Sequence, residues 1–243
     1  MKTIHIIFNL LLTICIVGLL DSCQSTNVDV NPTHESYFLL KNVRGEILKE
    51  VDPDILALVK NDLINKDRKD DASKLGDTYD FKTGKLLAGA KTYNGGRLVS
   101  SAQPPFPNDP ILQYAHVQNI GWMDPVLAGQ VAGTTGQALG LEAFYITGVP
   151  GSPWMQYQAH VSGIGWQAPQ YADNPPSPAG TVGQHRSIEA IRFFIDPAWS
   201  VSISYRAHVS GIGWLPWVGN QDVAGTTGQN RKLEAFQLSL VYY

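Results

Sequence analysis

Four kinds of side chain that could take part in binding or catalysis recur at fixed positions in the second half of the sequence. A histidine is followed by a tryptophan six residues later, then by a Gly-Gln pair, and a glutamate stands five residues after that glutamine. Imidazole and carboxylate groups bind metals or transfer protons, and an indole ring can stack on the apolar face of a sugar. The recurring residues are His116, His160 and His208; Trp122, Trp166 and Trp214; Gln137, Gln184 and Gln229; and Glu142, Glu189 and Glu234.

These residues mark an internal repeat that occurs three times. The spacing between successive histidines is 44 and then 48 residues, which lies in the range of repeat architectures. Only the distance from the tryptophan to the glutamine varies, at 15, 18 and 15 residues, and the longer one holds the Pro-rich insertion 174–178. Because insertions collect in exposed loops, this segment is predicted to be a loop in every copy.

Each copy reads A-H-V-x-x-I-G-W, and the first and third continue with A-G-T-T-G-Q-x-x-x-L-E-A-F. This pattern resembles the ChW repeat, the clostridial hydrophobic repeat that is named for its tryptophan, over about residues 111–243. The middle copy departs from it at Val182, and the first copy has Gln113 where the others have tyrosine. The resemblance implies a bacterial surface or secreted protein with a role in adhesion, carbohydrate binding or protein binding.

The hydrophobic pattern places these residues on strands and turns. Residues alternate between apolar and polar before each histidine, as in Val201–Val209, and again after each Gly-Gln, which is typical of half-buried strands. Each copy has two to four strands, too few to bury a sheet face alone. We therefore predict an all-β C-terminal domain with pseudo-threefold symmetry, β-prism-like or β-trefoil-like, because closure removes free sheet edges.

The three Gly-Trp positions allow two interpretations. Three equivalent tryptophans could form core or corner packing, or they could contact a ligand. Trp217, Trp154 and Trp199 have no equivalents in the repeat, and Trp217 is predicted to be exposed in its loop. The candidate ligand-binding residues are therefore Trp122, Trp166, Trp214 and Trp217.

The histidines and glutamates are predicted to be structural. The histidines alternate with an apolar strand face, so hydrogen bonding is favoured over a metal site. The glutamates begin the second strand on its apolar face and need partners there, which the N–H groups of the preceding Gly-Gln turn could supply. Three carboxylates in like environments do not form the unlike pair that glycoside hydrolysis needs. We expect no enzyme, no metal and no cofactor.

The N-terminus has the features of a lipoprotein signal peptide. Lys2 supplies a positive charge, an apolar run extends from Ile4 to Leu20, and the sequence Leu-Asp-Ser-Cys ends at Cys23. Lipidation of Cys23 is predicted, the alternative being a plain secreted protein cut near Ser22. Since Cys15 lies in the leader, no disulfide is expected in the mature chain, and its only membrane contact is expected to be the lipid anchor.

The segment between the leader and the repeats contains a small α+β region. Pro53 and apolar residues at helical spacing predict a helix over about 53–66, and the charged run Asn65–Asp71 is interpreted as its solvated end. Residues 78–87 resemble a hairpin. The predicted organisation is a signal peptide at 1–22, a flexible tether at 23–35, the α+β region at 36–99, a Pro-rich linker at 100–110, and repeats at about 111–148, 154–195 and 199–243.

Composition narrows the choice of function. The net charge of −3 over 243 residues and the absence of a basic stripe argue against nucleic acid as a partner. We expect an exported lipoprotein, at the outer membrane, on the cell surface or facing the periplasm, that binds polysaccharide through loop aromatics. The alternative is a protein-interaction, adhesion or structural module of the envelope with no small-molecule ligand.

Overall fold

The computed structural model of the chain describes residues 37–92, 111–148, 155–172 and 177–243. The predicted signal peptide, tether and linker, together with Cys23 and Trp154, lie outside these residues. The described residues belong to one compact unit. Neither of its two α-helices is long and apolar enough to span a membrane.

The first helix forms where the sequence predicts it. Helix α1 (Pro53–Asn65) begins after Asp52, whose carboxylate accepts a hydrogen bond from the N–H of Asp54, and proline fits the first turn because it has no N–H to satisfy. Its buried face consists of Ile55, Leu56, Val59 and Leu63.

A second helix and a tight turn complete the N-terminal region. Helix α2 (Lys69–Thr78) begins inside the charged run Asn65–Asp71. The interpretation of this run as the solvated end of α1 is therefore wrong for residues 69–71, which form the first turn of α2. Two aspartates in the first turn of α2 explain the charge, since carboxylates stabilise a helix N-terminus. The predicted hairpin is reduced to one antiparallel bridge, Tyr79 with Leu86, and a 3₁₀ turn follows at Gly89–Thr92.

The repeats form three separate antiparallel sheets, each built on a pair of long strands, the first and the last of its repeat. This arrangement favours the prism-like alternative over a trefoil barrel. The strands of the first repeat are β1 (Leu112–Val117), β2 (Gly121–Trp122), β3 (Val126–Leu127), β4 (Val131–Gly133) and β5 (Leu141–Thr147). Those of the second are β6 (Met155–Val161), β7 (Gly165–Trp166), β8 (Gln170–Tyr171), β9 (Ala179–Gly180) and β10 (Ile188–Ile195). Those of the third are β11 (Val201–Val209), β12 (Gly213–Trp214), β13 (Ala224–Gly225) and β14 (Leu233–Tyr242).

The sheets are linked in a cycle by exchange of the short Ala-Gly strands. Strand β9 of the second repeat pairs with β5 of the first, and β13 of the third repeat pairs with β10 of the second. Strand β4 of the first repeat pairs with β14 of the third, which closes the cycle. Each repeat therefore completes its sheet with backbone from another repeat.

The core lies between the three sheets, around the pseudo-threefold axis. Phe144, Phe193 and Phe236 meet there with ring centroids 5.1 to 6.2 Å apart. Phe144 and Phe236 follow their glutamates by two residues, whereas Phe193 follows Glu189 by four. The three rings that meet at the axis therefore do not all come from equivalent positions of the repeat.

One buried hydrogen bond is the same in all three repeats although one residue differs. The hydroxyl of Tyr157 donates to the carbonyl of Ser177, and that of Tyr205 to the carbonyl of Asp222. In the first repeat the amide of Gln113 donates to the equivalent carbonyl, of Gln130, at 3.1 Å. The sequence departure at Gln113 thus preserves a structural bond, because an amide can replace a phenol as donor.

The N-terminal region packs on the third sheet and breaks the threefold equivalence of the outer surface. Lys66 at the end of α1 donates hydrogen bonds to the carbonyls of Trp199 and Val201 and to the hydroxyl of Tyr243. Beneath this contact Ser202 and Ser204 are buried, although alternation predicts that they face solvent. The polar face of β11 is therefore partly an interface within the chain.

Burial of tyrosines at this contact and in the core predicts loss of stability in alkali. Desolvation raises the pKa of Tyr205, Tyr242 and Tyr243 well above the usual value of about 10. The folded state holds these protons to a higher pH than the unfolded state, so the free energy of unfolding falls as pH rises above about 10. Ultraviolet absorbance of tyrosinate, followed with circular dichroism, should show late ionisation that coincides with unfolding. Ionisation of all tyrosines near pH 10 with the fold intact would contradict it.

Candidate functional site

A β-bulge brings each glutamate to its histidine. In the first repeat His116 pairs with Ala143 and Val117 pairs with Leu141, so Glu142 is the extra residue of the bulge. Glu189 and Glu234 occupy the same position in the other two repeats. An extra residue turns side chains away from simple alternation, which explains how a carboxylate next to an apolar strand face can meet an imidazole.

The three histidine–glutamate pairs have the same geometry. Nδ1 of each histidine lies 3.2 Å from Oε2 of its glutamate, in the pairs His116–Glu142, His160–Glu189 and His208–Glu234. The glutamates are almost fully buried. The distance is that of an ion pair, but Nδ1 makes no aligned hydrogen bond, so we describe the contact as electrostatic.

The loop of another repeat supplies a further partner for the glutamate. The N–H of Gly136, in the Gly-Gln turn of the first repeat, donates to Oε2 of Glu234 in the third repeat at 2.8 Å. The sequence predicted that N–H groups of the Gly-Gln turn donate hydrogen bonds to the glutamates. This bond is of that kind, but the turn and the glutamate belong to different repeats. Strand exchange is the reason, since it places the loop after each Ala-Gly strand beside the neighbouring glutamate.

The three equivalent tryptophans stand outside the core. Each is the cross-strand partner of its histidine, in the pairs His116–Trp122, His160–Trp166 and His208–Trp214. The imidazole and indole centroids are 5.2 to 5.4 Å apart in an edge-to-face arrangement. Trp122 is 41% exposed, and Trp166 and Trp214 are half-buried. None of the three rings belongs to the core, so corner packing and ligand contact are the interpretations that fit their positions.

The neighbour of each indole differs between copies. In the second repeat the guanidinium of Arg192 lies 4.5 Å from the ring centre of Trp166. In the third repeat Arg206 lies 4.8 Å from the ring centre of Trp214. In the first repeat an aromatic ring, Tyr145, takes this place at 4.9 Å from Trp122. Three sites of one geometry therefore have two kinds of chemistry.

Trp217 is half-buried, which contradicts the prediction that it is exposed. Its ring centre lies 4.5 Å from the guanidinium of Arg206, and the ring packs against the core of the N-terminal region. Its Nε1–H donates to Oδ2 of Asp52 at 3.2 Å. The loop of the third repeat faces helix α1, and for that reason Trp217 belongs to the contact between the two regions. Trp199, the other unmatched tryptophan described, packs against the core of the repeats.

The recurring glutamines are exposed in all three loops. Gln137, Gln184 and Gln229 each precede a residue with positive φ, at Ala138, His185 and Asn230. Their side chains make no hydrogen bond within the described part of the chain. The structure gives no reason for a glutamine at this position in all three repeats.

The described ranges offer little for metal binding or nucleophilic catalysis. Within residues 37–92, 111–148, 155–172 and 177–243 there is no group of three or more His, Cys, Asp or Glu that could hold a metal ion. A histidine beside a carboxylate is also part of a catalytic triad. In the same residues no hydroxyl hydrogen-bonds to His116, His160 or His208.

Sequence reasoning missed a second recurring surface feature. Ile120, Ile164 and Ile212 occupy the same position in the three A-H-V-x-x-I-G-W motifs, and each is 50 or 51% exposed. The motif itself contained the signal, because a repeated apolar residue inside a tight turn cannot reach the core. Arg192 was also missed, since its position relative to Trp166 depends on strand pairing.

Comparison with known proteins supports the interpretation of the repeats. A family model described as Clostridial hydrophobic W matches the chain three times, at residues 116–147, 160–194 and 208–241. No curated protein and no solved structure is significantly similar to it. The matched segments contain the histidine, tryptophan and glutamate of each site. The chain therefore carries three ChW repeats.

Proposed function

We propose that this protein is a non-catalytic binding protein whose ChW domain binds carbohydrate through Trp122, Trp166 and Trp214. The observation that carries the proposal is the position of these rings, which lie outside the core at three equivalent sites. An indole presented at a surface can cover the apolar face of a sugar ring, and its N–H can donate to a hydroxyl. Three sites on one domain also favour avidity for a polymer with repeating units.

The support behind each ring favours a preorganised site. The histidine edge fixes the indole from one direction and the bulged glutamate fixes the histidine. A ring held in this way loses little freedom when a ligand binds, which lowers the cost of association.

We further propose that the protein is exported and held at a membrane by lipid on Cys23. This rests on the apolar leader that ends at Cys23 and on the lack of any other cysteine after residue 15. Such a location places the ChW domain among the polysaccharides of the cell envelope or its surroundings. Metabolic labelling with a fatty acid analogue should mark the wild-type protein but not Cys23→Ser.

The tryptophan sites are tested by binding to a glycan array, followed by calorimetry on the full-length protein in detergent. Trp122→Ala, Trp166→Ala and Trp214→Ala should each weaken binding, and the triple variant should lose it, because truncating a central aromatic contact costs about tenfold or more in affinity. Trp199→Phe is the matched control, since Trp199 packs against the core and lies outside the three sites. Unchanged affinity in all three single variants, or no saccharide bound at all, would contradict the proposal.

A second candidate function is contact with another protein. Exposed isoleucines at three equivalent turns favour it, because they expose apolar surface that folding leaves uncovered. Each turn is tied to the loop before the last strand of its repeat, as in the bond from Ser162 N–H to the carbonyl of Ser187. Arg186, Arg231 and Lys232 in these loops form no ion pair with described residues, so the surface would suit an apolar and acidic partner. Stoichiometric co-purification that is lost in Ile164→Asp but kept in Val223→Asp would support this function.

A further inference from the structure

A cleft lies beside the tryptophan site of the second repeat. Its volume is about 320 Å³, which is in the range of small-molecule sites. Its lining includes Pro169 and Phe194 together with the buried core residues Tyr157 and Phe193. The cleft thus combines apolar surface with the polar side chains of β6 and β10.

The polar groups of this cleft have unused hydrogen-bonding capacity. Nε of Arg192 donates to Gln158 at 2.6 Å, and Gln158 in turn donates to the carbonyl of Gln167 at 2.8 Å. The two terminal amino groups of Arg192 donate to no described residue, and the side-chain amides of Gln156 and Gln221 make no bond there either. Free donors and acceptors beside apolar lining residues match a hydroxylated ligand.

Among the described residues, Arg192 is the only charged one that lines the cleft. It forms no ion pair with any described carboxylate, and its stacking on Trp166 and its bond to Gln158 fix the direction of the guanidinium. A guanidinium with a free edge binds carboxylate in two parallel hydrogen bonds. The cleft therefore complements a negative charge as well as hydroxyl groups.

The other two repeats lack this combination. Tyr145 of the first repeat and Gln237 of the third occupy the position of Arg192, so neither copy has a cation on that strand. In the third repeat Trp217 replaces Pro169 and contacts Arg206, with its ring centre 4.5 Å from the guanidinium. The second repeat therefore differs from the other two in having an arginine on its last strand, and from the third in having a proline in place of Trp217.

We infer that the second repeat holds the principal saccharide site and that its ligand carries a carboxylate, as a uronic acid residue does. The carboxylate binds the terminal amino groups of Arg192, and Gln156 and Gln221 bind hydroxyl groups. The sugar ring packs against Pro169 and Phe194 beside Trp166. This inference rests on the proposed carbohydrate-binding function and specifies its ligand class.

The test compares oligogalacturonate with the same oligomer after methyl esterification, which keeps the sugar and removes the charge. Both are titrated by calorimetry into full-length protein in detergent. Wild type should bind oligogalacturonate at least tenfold more tightly than the ester, because a charge-assisted bidentate contact is lost. Arg192→Gln should abolish this difference. Arg186→Gln, which removes an unpaired cation outside the cleft, is the control for net charge and should keep it.

The outcomes separate this inference from the function on which it rests. Equal affinity for acid and ester, or a preference that Arg192→Gln leaves intact, would overturn the carboxylate assignment. If saccharide binding disappears in Trp122→Ala or Trp214→Ala but persists in Trp166→Ala and Arg192→Gln, carbohydrate binding stands and the assignment to the second repeat is wrong. Failure of every saccharide on an array to bind would overturn both.

Discussion

Substitution Gly180→Ala should destabilise the protein by about 3 kcal/mol and lower its expression. Gly180 lies in the exchanged strand β9 with φ at +106°, and a Cβ there would collide with the backbone carbonyl of Glu142. A non-glycine residue pays for strain in this conformation, and the collision forces β9 away from β5. Gly133 and Gly225 occupy the same position in the other repeats and make the same approach. Urea denaturation monitored by tryptophan fluorescence measures the change.

Gly183→Ala is the matched control for this experiment. Gly183 also has positive φ, at 72°, but no atom lies within 4 Å of the Cβ that alanine would add. The free energy of unfolding should therefore fall by only about 1 kcal/mol in Gly183→Ala, the cost of the backbone strain alone. Equal losses in both variants would mean that the close approach of the exchanged strand does not matter.

The second large effect is expected for Lys66→Met, which should cost about 2 to 4 kcal/mol. The ammonium of Lys66 donates to two backbone carbonyls and to Tyr243, and pairs with Asp62 at 3.0 Å. Methionine keeps most of the side-chain volume but leaves those acceptors without a donor. Burial lowers the pKa of Lys66, which disfavours the charged ammonium. The hydrogen-bond acceptors and Asp62 stabilise that charge in place of water.

Lys69→Met provides the comparison for Lys66→Met. Its ion pair with Asp67 is highly exposed, at 74% and 89% for the two side chains, and exposed pairs contribute about 0 to 1 kcal/mol. Hydrogen exchange of α1 should rise in Lys66→Met and stay unchanged in Lys69→Met. If the two variants lose the same stability, the contact between helix and third sheet is not held by Lys66.

The sequence was sufficient for the repeat, the strands and the first helix, because each depends on local pattern. The alternation around Tyr205 and Ala207 is visible in the fold, and Pro53 marks the start of α1 as expected. The recurring histidines, tryptophans and glutamates also lie together, as their fixed spacing suggests. Their spacing is fixed because each histidine contacts both its tryptophan and its glutamate within a single sheet.

Features that depend on pairing between distant segments could not be predicted. The bulge at Glu142 adds one residue to one strand, and alternation gives no sign of it. The link from Gly136 to Glu234 joins residues of the first and third repeats. Trp217 was expected to be exposed because it has no equivalent in the other repeats, but it packs against the N-terminal region, a contact that no periodicity encodes.

The exchanged strands limit how many repeats this domain can contain. In a linear array a repeat can be gained or lost, because each unit contacts only its neighbours along the chain. Here β4 must pair with β14, so deletion of the third repeat would leave β4 and the loop at Gly136 without partners. An added fourth copy would have no sheet to complete. Closure thus makes copy number a fixed property of this domain, and gene duplication here would proceed by whole triplets.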